Sequence, residues 1–211
     1  MGIREEQVAL TRERIVATFL DLGSTVDAEP VTMAEVSRVS GISPATVYRH
    51  FPNRQELVTA AAHRDATLGI ERADGRYTLD DLRDHLGALW ARLAANLPVT
   101  REAAISAAGR ELRQSRFESA AGLFRRTLTD EGVDTDAPDG QRLLSALALL
   151  MSVHTFLDLH DRHGLSVDDA VDTATWAIEQ LLRGQGLDPS TLVFIDETEG
   201  PFGSGQNGDR S

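Results

Sequence analysis

The sequence predicts an all-α chain, with a three-helix N-terminal domain that contains a helix-turn-helix and a larger helical domain after it. Three observations predict this. Helix-opening residues recur at Thr32, Ser43, Thr78, Ser115 and Ser166, most with an acidic residue two or three positions on. Between these caps, apolar residues return at helical spacing. As far as Gly140 there is no run of alternating apolar and polar residues of the kind a half-buried strand needs.

The charged arm over residues 1–10 either extends the first helix or stays loose, the commoner fate of a solvated end. The first helix proper covers residues 11–22, with Ile15, Phe19 and Leu22 as its buried stripe and Gly23 closing it. After a loop over 24–30 comes TMAEVSRVSGISPATVYRHF, residues 32–51. Thr32 and Glu35 form a capping box, so a short helix begins at Met33. Gly41 ends that helix because it tolerates the left-handed backbone of a helix stop, and Ile42 turns inward at the corner. Ser43 caps a second short helix, and Pro44 takes its first position, where a missing N–H costs nothing. Pro52 ends this helix, and Asn53 with Glu56 restarts the chain as a helix running to about Arg72.

At about 100° per residue, Val47 and Phe51 share the buried face of the second helix, and Arg49 points away from the core with Ala45 and Thr46 beside it. A helix that enters the major groove of DNA needs a long hydrogen-bonding side chain for base edges, small neighbours that permit close approach, and hydroxyls for phosphate oxygens. Arg49, Ala45, and the trio Ser43, Thr46 and Tyr48 have that chemistry. Two short helices at an angle are also common as plain architecture in all-α proteins.

Ile15, Ala17 and Gly23, then Val31-Thr32-Met33, Gly41-Ile42-Ser43, Thr46-Val47-Tyr48-Arg49-His50-Phe51, Arg54 and Glu56-Leu57 together resemble the DNA-binding domain of the tetracycline-repressor (TetR) family of bacterial regulators. The resemblance covers roughly the first quarter to third of the chain. Ser37 and Ser40 stand where the family often has alanine, and Arg54 where it often has lysine. The resemblance implies double-stranded DNA as partner, a pseudo-palindromic operator, a homodimer and a small-molecule effector. In that reading Arg49 contacts a base, while Tyr48, Thr46, Ser43, Thr32, His50 and Arg54 position the helix on phosphates. The organisation expected is a DNA-binding domain over 1–52, a ligand-binding and dimerisation domain over 53–186 with 53–72 as connecting helix, and an extension over 187–211 with a disordered tail from about 200.

The chain has 211 residues, no cysteine and a formal net charge of −12. Disulfides, thiolate metal sites and cysteine nucleophiles are therefore excluded. Residues 1–64 carry seven arginines and eight acids, so nearly all of the acidity lies outside the reading domain. A near-neutral head makes few phosphate contacts, and local placement of Arg12, Arg14, Arg49 and Arg54 matters more than the bulk field. Arg4, Glu5 and Glu6 stand where a signal peptide needs an apolar run, and no segment has the length of a membrane span, which gives a cytoplasmic expectation with no membrane partner.

In the larger domain, Thr78 opens a helix with a stripe from Leu79 through Trp90 to Leu97, ending before Pro98. Thr100 opens a shorter helix rich in small residues over 103–109. Ser115 with Glu118 opens another, with Phe117, Phe124 and Leu128 inward. A helix over about 139–163 is apolar almost all round and must be covered. Ser166 caps the last helix, whose stripe includes Val171, Ile178 and Leu182, with Trp176 on the opposite side. The last two helices read as a dimer interface through Leu147, Met151, Trp176 and Ile178. The run Val193-Phe194-Ile195 is expected to pack on the last helix.

A small-molecule pocket is suggested by Trp90, Phe117 and Phe124, with Arg110 or Arg113 as a charge and His154 as a contact, although core packing explains most of these residues equally well. His160 and His163 sit at i, i+3, but the polar end of a long helix accounts for them, and neither a metal nor a cofactor is expected. Without a phosphate loop, nucleophile elbow or carboxylate pair, the chain is not expected to be an enzyme. The alternatives are a metal-dependent hydrolase using the His160 region and a protein-interaction module with a vestigial reading head.

Overall fold

The computed structural model describes residues 2–24, 30–67, 76–106 and 109–195. Helices α1 (Ile3–Gly23), α2 (Met33–Ser40), α3 (Pro44–His50) and α4 (Arg54–Thr67) are followed by strand β1 (Arg76–Tyr77). Helices α5 (Leu79–Ala95), α6 (Leu97–Ile105), α7 (Gly109–Asp130), α8 (Pro138–Leu150) and α9 (Val153–Leu157) come next, and a π-helical turn, Asp158–Arg162, continues α9. Helix α10 (Val167–Gly184) and strand β2 (Phe194–Ile195) close the described chain. The all-α expectation holds, apart from a short antiparallel pair that sets Tyr77 opposite Phe194. Among the described residues no single helix is long and apolar enough to cross a membrane. The expected end of the connecting helix beyond Thr67, Ala107, Ala108 and the tail from about 200 lie outside the described residues.

The chain divides into two compact units, Met1–Leu68 with Leu89–Gln114, and Gly69–Ala88 with Ser115–Ser211. The first unit is built around Ile15, Phe19, Val36, Val47, Phe51, Leu57 and Val58, all buried. Val99 and Ala103 of α6 belong to the same core, so the reading head folds with a helix that the sequence assigned to the larger domain. Helix α1 starts at Ile3 rather than near Thr11, because the Glu5 carboxylate accepts the Gly2 N–H at 2.9 Å and closes the first turn. Helix α6 starts before Thr100, with Pro98 in its first turn, and the Thr100 hydroxyl donates to the Leu93 carbonyl at 3.0 Å across the α5–α6 corner.

The second unit packs Leu79, Leu82, Phe124, Leu128, Leu144, Leu147, Ile178 and Leu182 together with Leu192 and Phe194 from the C-terminal extension. The Phe194 ring meets Phe124 edge-on at 5.4 Å, so the extension packs on α7. Three expectations are corrected here. Helix α7 runs through Ser115 from Gly109, so the Ser115–Glu118 pair lies inside a helix and opens none. Phe117 is 39% exposed, because it lies about 10 Å along the helix from the part of α7 that Phe194 covers. The helix expected over 139–163 is bent by 55° between α8 and α9. Ser152 caps a new helix there by accepting the Thr155 N–H at 3.2 Å, and the Thr155 hydroxyl takes the Leu149 carbonyl, which would otherwise continue the ladder.

Candidate nucleic-acid interface

The reading helix is positioned from the inside. Val47 and Phe51 are buried in the first core, and Gly41 stands at φ +70° between α2 and α3, a left-handed conformation that only glycine adopts without strain. Thr32 caps α2 as the sequence predicts: its hydroxyl accepts the Glu35 N–H at 3.2 Å, and the Glu35 carboxylate accepts the Thr32 N–H at 2.8 Å. Those bonds to the Thr32 N–H and hydroxyl hold the Glu35 carboxyl below its ordinary pKa. Ser43 does the same for α3, accepting the Thr46 N–H at 3.3 Å while its hydroxyl donates to Thr46 Oγ1 at 3.0 Å.

The serines at the family's alanine positions lace the turn. The Ser37 hydroxyl donates to the Ile42 carbonyl at 2.6 Å, and Ser40 Oγ accepts the Ile42 N–H at 3.2 Å, so both backbone groups of Ile42 are satisfied beside buried side chains. The cost of placing two hydroxyls in the core is offset by those bonds.

On the outer side, Ala45, Tyr48 and Arg49 are exposed, with Thr46 and His50 half-buried beside them. Arg49 makes no hydrogen bond or ion pair among the described residues and presents its guanidinium to solvent. Arg12, from α1, lies over the face of the Phe51 ring at 4.9 Å. Partial burial, and then the positive charges of Arg49 and Arg12, press the His50 imidazole below its ordinary pKa.

Arg54 is placed differently from the phosphate contact expected of it. Its Nε donates to the Val31 carbonyl at 2.6 Å, its Nη1 is ion-paired with Glu102 of α6, and its guanidinium lies over the Phe19 ring at 5.6 Å. No pattern within residues 31–57 could have revealed Glu102, which is 48 residues from Arg54 in sequence.

The residues expected around an effector are divided between the two units. Trp90 and Arg110 belong to the first unit, and Phe117, Phe124 and His154 to the second. Trp90 and Phe124 are fully buried, whereas Arg110 is exposed. Arg113 donates to the carbonyls of Ala103 and Ser106 at 2.7 and 3.2 Å and so closes the end of α6. His154, expected on the Leu147 face, is exposed, because the restart at Ser152 shifts the helical phase and turns Phe156 inward instead. His160 stacks on Phe156 at 5.5 Å, and its Nδ1 lies 2.9 Å from the Leu165 carbonyl.

The expected interface residues also divide. Leu147 and Ile178 are buried in the second core and offer a partner no surface. Trp176 is 64% exposed, Leu149 is exposed, and Met151 is half-buried.

Residues 20–61 match the bacterial regulatory proteins of the tetR family. The YxbF protein of Bacillus subtilis (strain 168), an uncharacterized HTH-type transcriptional regulator, is 29% identical over 101 residues, which is 45% of this chain and 26% of that protein. The chain thus matches about a quarter of that relative's length. Two solved structures share the fold. One is a transcriptional regulator from Rhodococcus sp. Rha1, with a TM-score of 0.55 at 20% identity over 82% of this chain and 96% of that one. The other is a tetR-family transcriptional regulator from Streptomyces coelicolor, with a TM-score of 0.58 at 17% identity over 88% of this chain and 84% of that one. With the capped α2, the Gly41 turn and the outward face of α3 in place, residues 20–61 are similar in sequence and in local structure to the N-terminal domain of the tetR family of bacterial regulatory proteins.

Proposed function

We propose that the protein is a sequence-specific DNA-binding transcriptional regulator of the bacterial cytoplasm, a homodimeric repressor released from a pseudo-palindromic operator by a small molecule. The observation that carries this reading is the outer face of α3: exposed Ala45, Tyr48 and Arg49 stand on a helix fixed by buried Val47 and Phe51. Arg49 is the base-reading residue, with guanine O6 and N7 its commonest partner, and Ala45 permits close approach. Ser43, Thr46, Tyr48, Thr32 and His50 position the helix on the phosphates.

A second copy supplies the second reading helix, so that two helices enter successive major grooves about 34 Å apart. Exposed Trp176 and Leu149, with half-buried Met151, are the residues that support an interface between copies. An effector acts by favouring a conformation in which the reading helices are wrongly spaced, and its coupling equals its preference for that conformation over the DNA-bound one.

The test is a fluorescence-anisotropy titration against a duplex that the protein itself selects from a random-sequence pool, with a scrambled duplex as control. Tight binding by two subunits per selected duplex, lost on the scrambled one, is the expected outcome. Equal binding to both removes the sequence-specific reading.

A further inference from the structure

Arg12 has no part in the reading face described so far, yet it is held beside it. The Phe51 ring under its guanidinium is buried, and the cation lies over it at the C-terminal end of α3, close enough for its charge to act on His50. The last turn of a helix carries partial negative charge and by itself repels an anion. Here that end carries Arg49 and His50 on α3, with Arg12 reaching in from α1. Helix α1 also carries Glu13 and Arg14 beside Arg12, α2 carries Glu35 and Arg38, and α4 opens with Arg54 and Glu56. Glu35 is bonded to Thr32, Glu56 to Asn53, and Arg54 to Val31 and Glu102, and the charges that bear on His50 are those of Arg49 and Arg12, both positive.

We propose that Arg12 and His50 form a phosphate site at the C-terminal end of the reading helix, and that a DNA phosphate binds there with uptake of one proton by the His50 imidazole. This rests on the DNA-binding reading above and adds to it a residue, Arg12, and a linked proton. The proton comes from solvent and stays on a ring nitrogen. In the free protein, partial burial, then Arg49 and then Arg12, oppose the positive charge that a proton would place on the imidazole. A phosphate beside them cancels that repulsion and adds an attraction of its own. By linkage, a group that gains a proton on binding makes binding tighter as pH falls. Arg12 therefore supplies charge for the phosphate and, with burial and Arg49, disfavours the protonated imidazole of His50 until the phosphate arrives.

The test uses the full chain and a duplex it selects from a random-sequence pool, titrated between about pH 7.5 and about pH 5.5 and at several salt concentrations. Wild-type affinity is expected to rise about fivefold per subunit across that range. His50→Gln is expected to bind with a flat pH profile. Arg12→Gln is expected to weaken binding to selected and scrambled duplexes alike and to lower the salt slope by about 0.9 per subunit. Arg12→Met, which keeps the apolar stem on Phe51, separates loss of charge from loss of packing and is expected to lose the same slope. A wild-type pH profile retained in His50→Gln overturns the proton linkage, and an unchanged salt slope in both Arg12 variants overturns the phosphate site. If the pool yields no preferred duplex, the DNA-binding reading fails and this inference fails with it.

Discussion

Arg54 at the start of α4 is ion-paired with Glu102 of α6, and both side chains are about 30% exposed. The same guanidinium holds the Val31 carbonyl and covers the Phe19 ring, so one residue of the reading head ties together the approach to α2 and helices α1, α4 and α6. A cation committed in this way is a poor candidate for a phosphate contact, because moving it to DNA would leave Glu102 and the Val31 carbonyl without it.

Arg54→Gln should therefore act on folding before it acts on binding. A loss of about 1–2 kcal/mol in urea unfolding is expected, with the salt slope of DNA binding unchanged. Unchanged stability with a shallower salt slope would return Arg54 to the phosphate set.

Arg49→Ala removes an exposed guanidinium that makes no hydrogen bond or ion pair among the described residues, so the fold should not register it. A loss of about 1–3 kcal/mol per half-site on the selected duplex is expected, with relaxed preference at one base pair. Tyr48→Phe should weaken selected and scrambled duplexes alike. Equal losses on both duplexes for Arg49→Ala would defeat the base-contact assignment.

Gly41→Ala isolates the backbone term at the turn. The nearest atom to an added methyl is Arg14 Nη2 at 3.8 Å, so there is space for it, and the cost is that of holding alanine at φ +70°. About 1–2 kcal/mol of stability should be lost. Ser37→Ala leaves the backbone alone but removes the bond to the Ile42 carbonyl, at a cost of about 1 kcal/mol. Chemical denaturation of the two variants compares the terms directly.

The pH dependence of stability should run opposite to that of DNA binding. The His50 pKa is depressed in the folded protein, so the unfolded chain binds the proton more readily. The stability this contributes is complete above the unfolded value of about 6.5 and is lost as pH falls through the depressed folded value. Glu35, depressed by its bonds to Thr32, adds a loss of the same sign at lower pH, below the ordinary carboxylate range. Thermal melts of wild type and His50→Gln across about pH 5–8 should therefore diverge only on the acid side. Parallel curves would show that His50 contributes no such term.

The reading head was legible because each of its signals is local. The Thr32 and Ser43 caps, Gly41 and the Val47–Phe51 spacing act within a few residues and survive any tertiary arrangement. The body was less legible for two physical reasons. An unbroken apolar run masks the Ser152 cap, and the phase error it introduces is what misplaced His154. Amphipathic stripes also do not say which apolar residues a single chain covers by itself, which is why Leu147 and Ile178 were assigned to an interface although both are core. The Arg54–Glu102 pair depends on chain reversal between α4 and α6, and no short-range pattern encodes it.

Trp176 and Leu147 separate association from folding. Trp176→Glu places a charge on an exposed position of α10, among Asp169, Asp172 and Gln180, so the subunit should fold as before. If that face meets a second copy, the charge is buried without a partner, and the dimer should give way to monomer in light scattering at micromolar concentration. Affinity for the selected duplex should fall with it, since both reading helices are then no longer held together. Leu147→Ala instead opens a cavity in the second core and should cost about 2–5 kcal/mol of stability. A Trp176→Glu protein that remains dimeric would place the interface elsewhere. A wild-type protein that is monomeric at the same concentration would remove both the dimer and the paired half-sites.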